Sequence, residues 1–566
     1  MQSASANFLT KNALAYKSPV YLVHFEGENI DYVTSVQIGS PDNDLISCVK
    51  KISGASQKIT PEEGRSSIGS VTISLLDYHV IAEGIEWASG ISWGSGLEWA
   101  AETNYQHRIT NLIASDAYNL HRKKAIIKGG YAGNDEADML TIFTGWVTDI
   151  EMWDDGLGYE ITITDLQRWM QREIFKEAED TPVVFGGNPM TILLQILTSI
   201  AGDRTNGDYD EFDGINALGI DDDLIAVSHI EAERDKWFAG VHFSFDIRER
   251  IVAKTFLEDE IFKPCNIYPI IKGNGIFDVK VFRPPLPEEW GSVQSFDEDT
   301  IIGIPGWNQN LSAMINECEF DYDHDADDNE FDTQTYFLDS TSITNRGPGK
   351  KSLKIESKGI TTIKDGLEFI TRRKTRVFGR YANGPPPELN FSTFFSRQLS
   401  EAGDIVPITH SLIPNLETGA RGITRKYLEI INRSIDWEKG LCNFTMLYTG
   451  YDGKKYAVIS PAGTVLSGAS NTVFTLETDQ GAKFEEGWVI DIFYKNMVAV
   501  ATNLTITDIT GDQITVGSSI GATPAAGWKI TFSSYDNCTT EQRDFAFIAD
   551  GSDKLGTADD DPYYVY

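Results

Sequence analysis

The chain has 566 residues, with 84 acidic against 48 basic side chains and a formal net charge of −36. This length is enough for roughly three or four domains with separate cores, and an apolar fraction of 41% is typical of a folded soluble protein. Wrapping of nucleic acid and binding to anionic membranes both depend on lysine and arginine, so the charge argues against these functions and favours solubility.

Cysteine spacing gives no sign of a metal site or a disulfide framework. The nearest two are 53 residues apart and the count is odd, the five being Cys48, Cys265, Cys318, Cys442 and Cys538. We expect buried, reduced thiols in a chain folded in a reducing cytosol. The first residues have no apolar core of signal-peptide length, and the longest apolar run is too short to span a bilayer. We therefore expect neither classical secretion nor membrane insertion.

Residues 1–180 predict a first β domain. Residues 20–36 favour two short strands around an EGEN turn, and residues 69–76, 123–131 and 139–147 favour three more strands.

The stretch FTGWVTDIEMWDDGLGYEITITDLQRWMQ, residues 143–171, contains the clearest local pattern. Tyr159, Ile161 and Ile163 alternate with polar residues, which is the period of a half-buried antiparallel strand. The Asp/Gly-rich turn before them predicts a hairpin, and Asp165 is placed to cap a short helix. None of these residues forms a catalytic set, so the stretch is typical of scaffold.

Within this domain, residues 84–100 place Trp87, Trp93 and Trp99 six residues apart, with small residues between them. This spacing fits no helix face, so we expect an excursion from the domain. One interpretation is a loop packed on its own domain, and the other is a partner-contact loop that uses the three tryptophans.

Residues 181–310 predict an α+β middle domain. In NPMTILLQILTSIAG, Asn188 is the expected N-cap, Pro189 the first helical residue and Gly202 the residue past the end. Residues 276–282, IFDVKVF, predict a strand that stops before two prolines.

Residues 311–450 predict a second β domain with an amphipathic helix over residues 361–377. Residues 321–332, DYDHDADDNEFD, have the alternating acids of a calcium loop, but Ala326 replaces the required glycine and Asp332 the usual glutamate. A solvated acidic loop is the favoured interpretation, and a calcium site is the alternative.

The predicted helix carries the densest basic patch of the chain: Arg372, Arg373, Lys374 and Arg376. Such a patch favours ion pairs on the helix surface with the chain's own acids over contact with nucleic acid.

Residues 452–566 have a different sequence pattern, with short strand-like segments separated by Gly, Asn and Asp turns. This pattern predicts a small separate β-barrel or sandwich. Residues 517–521 match GxSxG, the nucleophile elbow of a hydrolase, but a strand rather than a helix follows them. The chain also contains no HExxH, P-loop or dinucleotide-binding glycine pattern. We predict a mainly β, multi-domain fold with minor α content and no catalytic residue, cofactor or metal.

The order of these segments resembles the tail hub (baseplate hub) proteins of long-tailed bacteriophages and gene transfer agents. The resemblance lies in residues 143–171 and in the ordered segments NPMTILLQILTSIAG, FDVKVFRPP, LSEAGDIVPITHSLIP, KYLEIINRSIDWEKGLCNFTML and DFAFIADGSDKLGTADDDPYYVY. It covers roughly residues 15–450 and extends to the C-terminal module.

The resemblance implies two tube-like β-barrel hub domains per chain, within residues 1–180 and 311–450. It implies a homotrimer whose pseudo-sixfold ring joins a sixfold tail tube to a threefold tip and lines the DNA exit channel without binding DNA specifically. The implied partners are the tail tube, distal tail, tape measure and distal tip or fibre proteins, at the virion tail tip. Some members hold a cysteine-bound iron–sulfur cluster, which Cys442 and Cys538 could not form alone.

Two alternatives differ in function class. The chain could be a tail-tip adhesin whose residues 452–566 form a carbohydrate-binding module, or a glycan hydrolase whose paired carboxylates cannot be recognised from sequence.

Overall fold

The computed structural model describes residues 19–54, 56–77, 79–81, 105–114, 120–198, 216–238, 241–282, 294–348, 352–362, 366–382, 384–416, 418–436, 439–449, 456–459, 463–478, 480–481, 484–493, 499–532, 544–547 and 564–565. The fold is mainly β with several separate sheets, which confirms the predicted class. Across these ranges, every helix is too short or too polar to cross a lipid bilayer.

The N-terminal part of the chain is built from short strands and one helix. The strands are β1 Pro19–Phe25, β2 Ile30–Val33, β3 Asp44–Ser47, β4 Val49–Gly54, β5 Gln57–Thr60, β6 Arg65–Ser66, β7 Ser70–Leu76, β8 His79–Ile81, β9 Tyr105–His107, β10 Lys124–Tyr131, β11 Leu140–Met152 and β12 Gly158–Thr164. The helices are α1 Arg108–Ala114 and the 3-10 turns Glu136–Asp138 and Leu166–Gln171.

Eight of these strands form one sheet in the order β3-β2-β1-β10-β11-β12-β7-β4. Only Cys48 separates β3 from β4 in the chain, although the two strands lie at opposite ends of this order. The sheet therefore curls so that its two ends approach each other around side chains such as Phe25, Ile73 and Ile161, and we call this curled sheet the first barrel.

The predicted hairpin is confirmed within this barrel. Strands β11 and β12 pair antiparallel, and Ile161 and Ile163 are buried while Glu160 is exposed. The Asp165 side chain accepts a hydrogen bond from the backbone N–H of Gln167 and so starts the 3-10 turn.

The middle of the chain packs around a second core. Its strands are β13 Glu173–Ile174, β14 Val183–Gly187, β15 Phe243–Ile247, β16 Ile251–Val252, β17 Ile267–Ile271 and β18 Phe277–Val281. Its helices are α2 Pro189–Thr198, the 3-10 turn Asp222–Leu224, α3 Val227–Trp237, α4 Ala253–Phe256, the π-helix Leu257–Phe262 and α5 Lys263–Cys265. As predicted, Asn188 caps α2, because its side chain accepts from the backbone N–H of Met190 at 3.0 Å.

The next part of the chain contains longer strands and the longest described helix. The strands are β19 Ile301–Asn308, β20 Glu317–Asp325, β21 Glu330–Leu338, β22 Leu353–Glu356, β23 Glu388–Phe394, β24 Ile405–Pro414, β25 Arg421–Asp436 and β26 Leu441–Tyr448. The helices are the 3-10 turn Leu311–Ala313, α6 Ser340–Arg346, α7 Gly366–Tyr381 and the 3-10 turn Phe395–Arg397. Helix α7 extends four residues beyond the predicted end at residue 377.

Strands β19, β23, β26 and β25 lie side by side, and β24 and β5 both pair with the far edge of β25. Phe296, shortly before β19, bridges Ile408 of β24. This sheet therefore also curls back on itself through that bridge, and we call it the second barrel.

The predicted domain boundaries at 180, 310 and 450 stay predictions. The core of the middle region does extend across residue 310, because β20, β22 and α7 contribute Phe320, Ile355 and Ile370 to it.

The two barrels share one hydrophobic core. The Phe395 ring of the second barrel makes edge-to-face contacts with Tyr21 and Tyr131 of the first, at centroid distances of 6.0 and 6.4 Å. The chain also crosses between them, since β4 belongs to the first barrel while β5 pairs through Lys58 with Asn432 of β25. The barrels are therefore joined side by side within one chain.

The C-terminal part forms a separate closed barrel, which confirms the predicted small β module. The strands of this part are β27 Tyr456–Ile459, β28 Gly463–Gly468, β29 Val473–Leu476, β30 Val489–Phe493, β31 Ala499–Thr510, β32 Gln513–Val516, β33 Lys529–Phe532, β34 Asp544–Phe547 and β35 Tyr564–Val565. The barrel consists of six of them in the order β28-β29-β32-β31-β30-β33, and β34, β27 and β35 form a separate sheet. Residues 517–521 lie between β32 and β33, so their GxSxG match is not a strand-to-helix elbow.

We predict that Phe395→Ala lowers the free energy of unfolding by about 3–5 kcal/mol, because it removes the buried ring between the barrels. Phe394→Ala is the matched control, since Phe394 is 55% exposed, and we expect a change within about 0.5 kcal/mol. Urea unfolding followed by tryptophan fluorescence measures both values. Equal effects of the two substitutions would contradict the shared core.

Candidate functional site

The predicted contact loop with Trp87, Trp93 and Trp99 lies outside the residues that the structure describes. It therefore stays a prediction.

Two arginines of the predicted basic patch, Arg373 and Arg376, are buried, contrary to the prediction of an exposed helix surface, and Lys374 is half-buried. Arg373, Arg376 and Arg380 are each only 4–5% exposed. The reason is that this helix face packs against the β5–β6 turn and β25 rather than against solvent. The predicted pairing with the chain's own acids is confirmed for Arg373, which pairs with Glu62.

Glu62, in the turn between β5 and β6, is the shared partner of two of these arginines. One Glu62 carboxylate oxygen is 2.5 Å from Nη1 of Arg373, and the other is 3.5 Å from Nη1 of Arg380. Arg373 also donates to the backbone carbonyl of Glu62 at 3.1 Å. The Glu62 backbone has a φ of 66°, which is uncommon for a residue other than glycine. The turn is therefore held in a strained conformation by its charged contacts.

The same turn packs directly against α5, the helix that follows the π-helix. A Cβ added at Gly64 would lie 2.4 Å from the backbone nitrogen of Lys263, and the φ of Gly64 is 63°. Only glycine fits here, so the turn inserts closely between the middle region and α7.

Glu429 of β25 extends the network. Its carboxylate accepts from Nη2 of Arg380 at 2.7 Å, and Arg380 Nε donates to the carbonyl of Tyr448 at 3.1 Å. The guanidinium of Arg376 lies 3.8 Å from the ring centroid of Phe282, a cation–π contact. Helix α7, the second barrel and the middle region thus meet at one charged cluster, defined here as the arginine cluster (Glu62, Arg373, Arg376, Arg380 and Glu429).

Burial and the neighbouring arginine charges shift the pKa values of the two carboxylates of this cluster in opposite directions. Burial alone would raise the pKa of Glu62, but the fields of Arg373, Arg376 and Arg380 lower it below its usual range. Burial dominates at Glu429, where Arg380 offsets only part of the rise in pKa. Such a cluster is structural, because it exposes no reactive group to solvent.

A second polar contact lies beside the β5 crossing. Arg433 is buried, and it donates to the Gln57 side chain at 3.3 Å and to the backbone carbonyl of Gln398 at 2.6 Å. The adjoining cleft has a volume of about 30 Å³ and is also lined by Asp165 and Lys272. This volume is enough for about two water molecules.

Asp165 is the titratable group of interest in this cleft. Burial raises its pKa to about 7, although backbone hydrogen bonds from Gly69 at 2.6 Å and from Gln167 at 3.0 Å, together with nearby Lys254, act in the opposite direction. Its hydrogen bonds tie β7 to the start of the 3-10 turn. The group acts as a structural cap.

The remaining candidates for chemistry are two histidines with acidic neighbours. His24 lies 2.8 Å from Asp31. His229 lies 2.8 Å from Asp278 and 3.7 Å from Glu233, and Asp278 also pairs with Lys272 at 2.7 Å. Among the described residues, no group of three or more His, Cys, Asp or Glu side chains could hold a metal ion.

The calcium candidate at residues 321–332 has a different structure. These residues form the end of β20, a turn and the start of β21, so they are a β-hairpin rather than an ion-binding loop.

The four described cysteines are buried free thiols: Cys48, Cys265, Cys318 and Cys442. Burial raises the pKa of each of these thiols, which makes them poor nucleophiles and ligands. Cys538 lies outside the described residues.

Sequence reasoning missed the role of Glu62, because its partner Arg373 is 311 residues further along the chain. One signal was available. Arg373, Arg376 and Arg380 are spaced three and four residues apart, so they share a helix face with the apolar Val377 and Ile370.

No protein-family model and no curated protein matches the chain. Solved structures that it resembles include the 43 kDa tail protein of prophage MuSo2 from Shewanella oneidensis, with 9% identity, a TM-score of 0.35, and coverage of 76% of this chain and 99% of that one. A tail protein from Neisseria meningitidis has 8% identity, a TM-score of 0.35 and coverage of 76% and 98%. A prophage tail protein from Listeria monocytogenes has 9% identity, a TM-score of 0.33 and coverage of 76% and 94%. Scores this low do not establish a shared fold.

We predict that Glu62→Gln destabilises the protein by about 3–5 kcal/mol, because it leaves buried arginine charge without its carboxylate. Glu63→Gln is the matched control: Glu63 lies 3.6 Å from Lys263 and is partly exposed, so the expected loss is below about 1 kcal/mol. Urea unfolding at pH 7 compares the two. Similar losses would show that the cluster does not depend on Glu62.

A second prediction concerns pH. Because the pKa of Asp165 is raised in the folded state, folding favours its protonated form, and its contribution to stability falls as pH rises from about 4 to about 7. The variant Asp165→Asn should lose this part of the pH dependence. Burial also raises the pKa of Glu260 to about 7, so some decline should persist in the variant. Thermal melts across pH 4–8 test this, and identical pH slopes for the two proteins would refute it.

Proposed function

We propose that the chain is a non-enzymatic structural protein of a phage-like tail, which assembles as a homotrimeric hub ring at the tail tip. The observation that carries this proposal is the pair of side-by-side barrels within one chain, joined by a common core and by the β5 crossing. Three such chains around a threefold axis present six barrels. A ring of this kind can join a sixfold tube to a threefold tip.

The charge of the chain supports this role. With a net charge of −36, a ring lumen lined by carboxylates would repel the DNA backbone. DNA would then pass through without specific binding. The proposed neighbours are the tail tube, distal tail, tape measure and distal tip or fibre proteins.

In the adhesin alternative, the C-terminal barrel would bind carbohydrate. Its described aromatic side chains Phe474, Phe484, Phe493 and Trp528 are buried, and Trp488 is partly buried against the barrel core. Carbohydrate recognition commonly needs an exposed aromatic face, which these residues do not present.

Immunogold electron microscopy of phage-like particles tests the location. An antibody against this chain should place gold at the tail tip, and particles stained with pre-immune serum are the control. Label along fibres or on capsids, or particles without label, would overturn the hub.

Deletion of residues 452–566 separates the hub from the adhesin. A hub lacking this module should still form tails of normal length, because both joined barrels remain. Normal tails that no longer adsorb to host cells would instead assign receptor binding to the module.

A further inference from the structure

Strand β21 combines an open edge with an acidic, partly apolar face. It lies at one end of the sheet β21-β20-β22, and its side chains alternate between exposed and half-buried positions. Its exposed row consists of Glu330, Asp332, Gln334, Tyr336 and Leu338. The last two are 61% and 62% exposed.

The local charge around β21 is strongly negative. Residues 317–332 contain nine carboxylates and no lysine or arginine, and three of the nine are paired with basic residues elsewhere: Glu319 and Asp321 with Lys354, and Asp327 with Arg248. Neither Glu330 nor Asp332 forms an ion pair within the part of the chain that the structure describes. We refer to residues 328–338, which contain Asp328, Glu330 and Asp332, as the acidic edge.

The β24–β25 hairpin has the complementary character. At its outer end, residues 409–426, it exposes Leu412 and Leu416 at 43% and 52%. It also exposes Arg421 and Arg425, which form no ion pair with a described residue. We call this segment the basic arm. It carries two arginines and one lysine against one glutamate, in a chain whose overall charge is −36.

We propose that the basic arm of one chain binds the acidic edge on a second copy of the chain, a contact that rests on the trimer proposed above. Charge complementarity supports this contact. Two copies at −36 each repel one another, so a stable contact requires patches of opposite sign. The arm and the edge supply such patches, and each places two exposed apolar side chains beside its charges.

The geometry of this contact determines the symmetry. The arm and the edge are different surfaces, so the contact is head-to-tail rather than self-complementary, and it closes into a ring when the rotation between copies is about 120°. An added strand on the open side of β21 would also satisfy backbone groups that lack a strand partner among the described residues.

Charge reversal tests the contact on the full-length chain. We expect the wild type to be a trimer by light scattering after size exclusion, and we expect Arg421→Glu/Arg425→Glu to shift it to monomer. The reciprocal pair Glu330→Lys/Asp332→Lys should do the same. Combining all four substitutions should restore the trimer, because each contact then has its charges exchanged.

The control is Lys50→Glu/Lys51→Glu, which makes the same change in net charge on the exposed positions of β4. It should leave the trimer intact. Recovery in the combined variant also excludes misfolding as the cause of dissociation in the two pairs.

The outcomes separate this contact from the proposed function. A trimer that persists in Arg421→Glu/Arg425→Glu, or dissociation that the combined variant does not reverse, would overturn the arm-to-edge contact and leave the trimer standing. A wild-type chain that stays monomeric at every concentration tested would overturn both.

Discussion

The buried carboxylate of Glu62 is the interaction on which the arrangement of the chain depends. Three arginines on one face of α7 would be costly to bury without an opposing charge. Glu62 reaches them only because β5 and β6 leave the first barrel and insert beside β25. Its charge therefore fixes the crossing strand, the long helix and the second barrel with respect to each other.

The two barrels contact each other at more than one place. A strand exchange alone would leave a hinge at the connection between β4 and β5. The aromatic contact at Phe395, the Arg433 hydrogen bonds and the arginine cluster lie at three places along the junction. Fixed barrels are what a ring subunit requires, because pseudo-sixfold symmetry depends on a constant angle between them.

Local patterns carried the sequence predictions that are confirmed. The alternation in β12, the caps at Asp165 and Asn188 and the Gly-rich turns of the C-terminal barrel are each set by residues close in the chain. The short-range physics of caps and strand periodicity is therefore sufficient for these elements.

Contacts between residues far apart in the chain could not be predicted from the sequence. Residues 61–64, PEEG, have the composition of an ordinary exposed turn, and the strongly basic face of α7 is typical of a solvated helix. Their burial follows only from the crossing of β5, which pairs with a strand about 375 residues later. Nothing in the local composition of either segment encodes that pairing.

The distribution of charge gives a consistent account of assembly. A chain with a large acidic excess stays soluble as a monomer and avoids nonspecific contacts. Association between copies then favours contacts that pair basic with acidic side chains at the surface. The β24–β25 hairpin, which exposes Arg421 and Arg425, is one basic surface that can take part in such a contact.

Cryo-electron microscopy of the purified full-length chain, viewed along the particle axis, tests the central claim most directly. The account predicts a closed ring with threefold symmetry and six barrel-sized densities, two from each chain. A monomer, a twofold dimer, or a ring in which each chain contributes one barrel would contradict it.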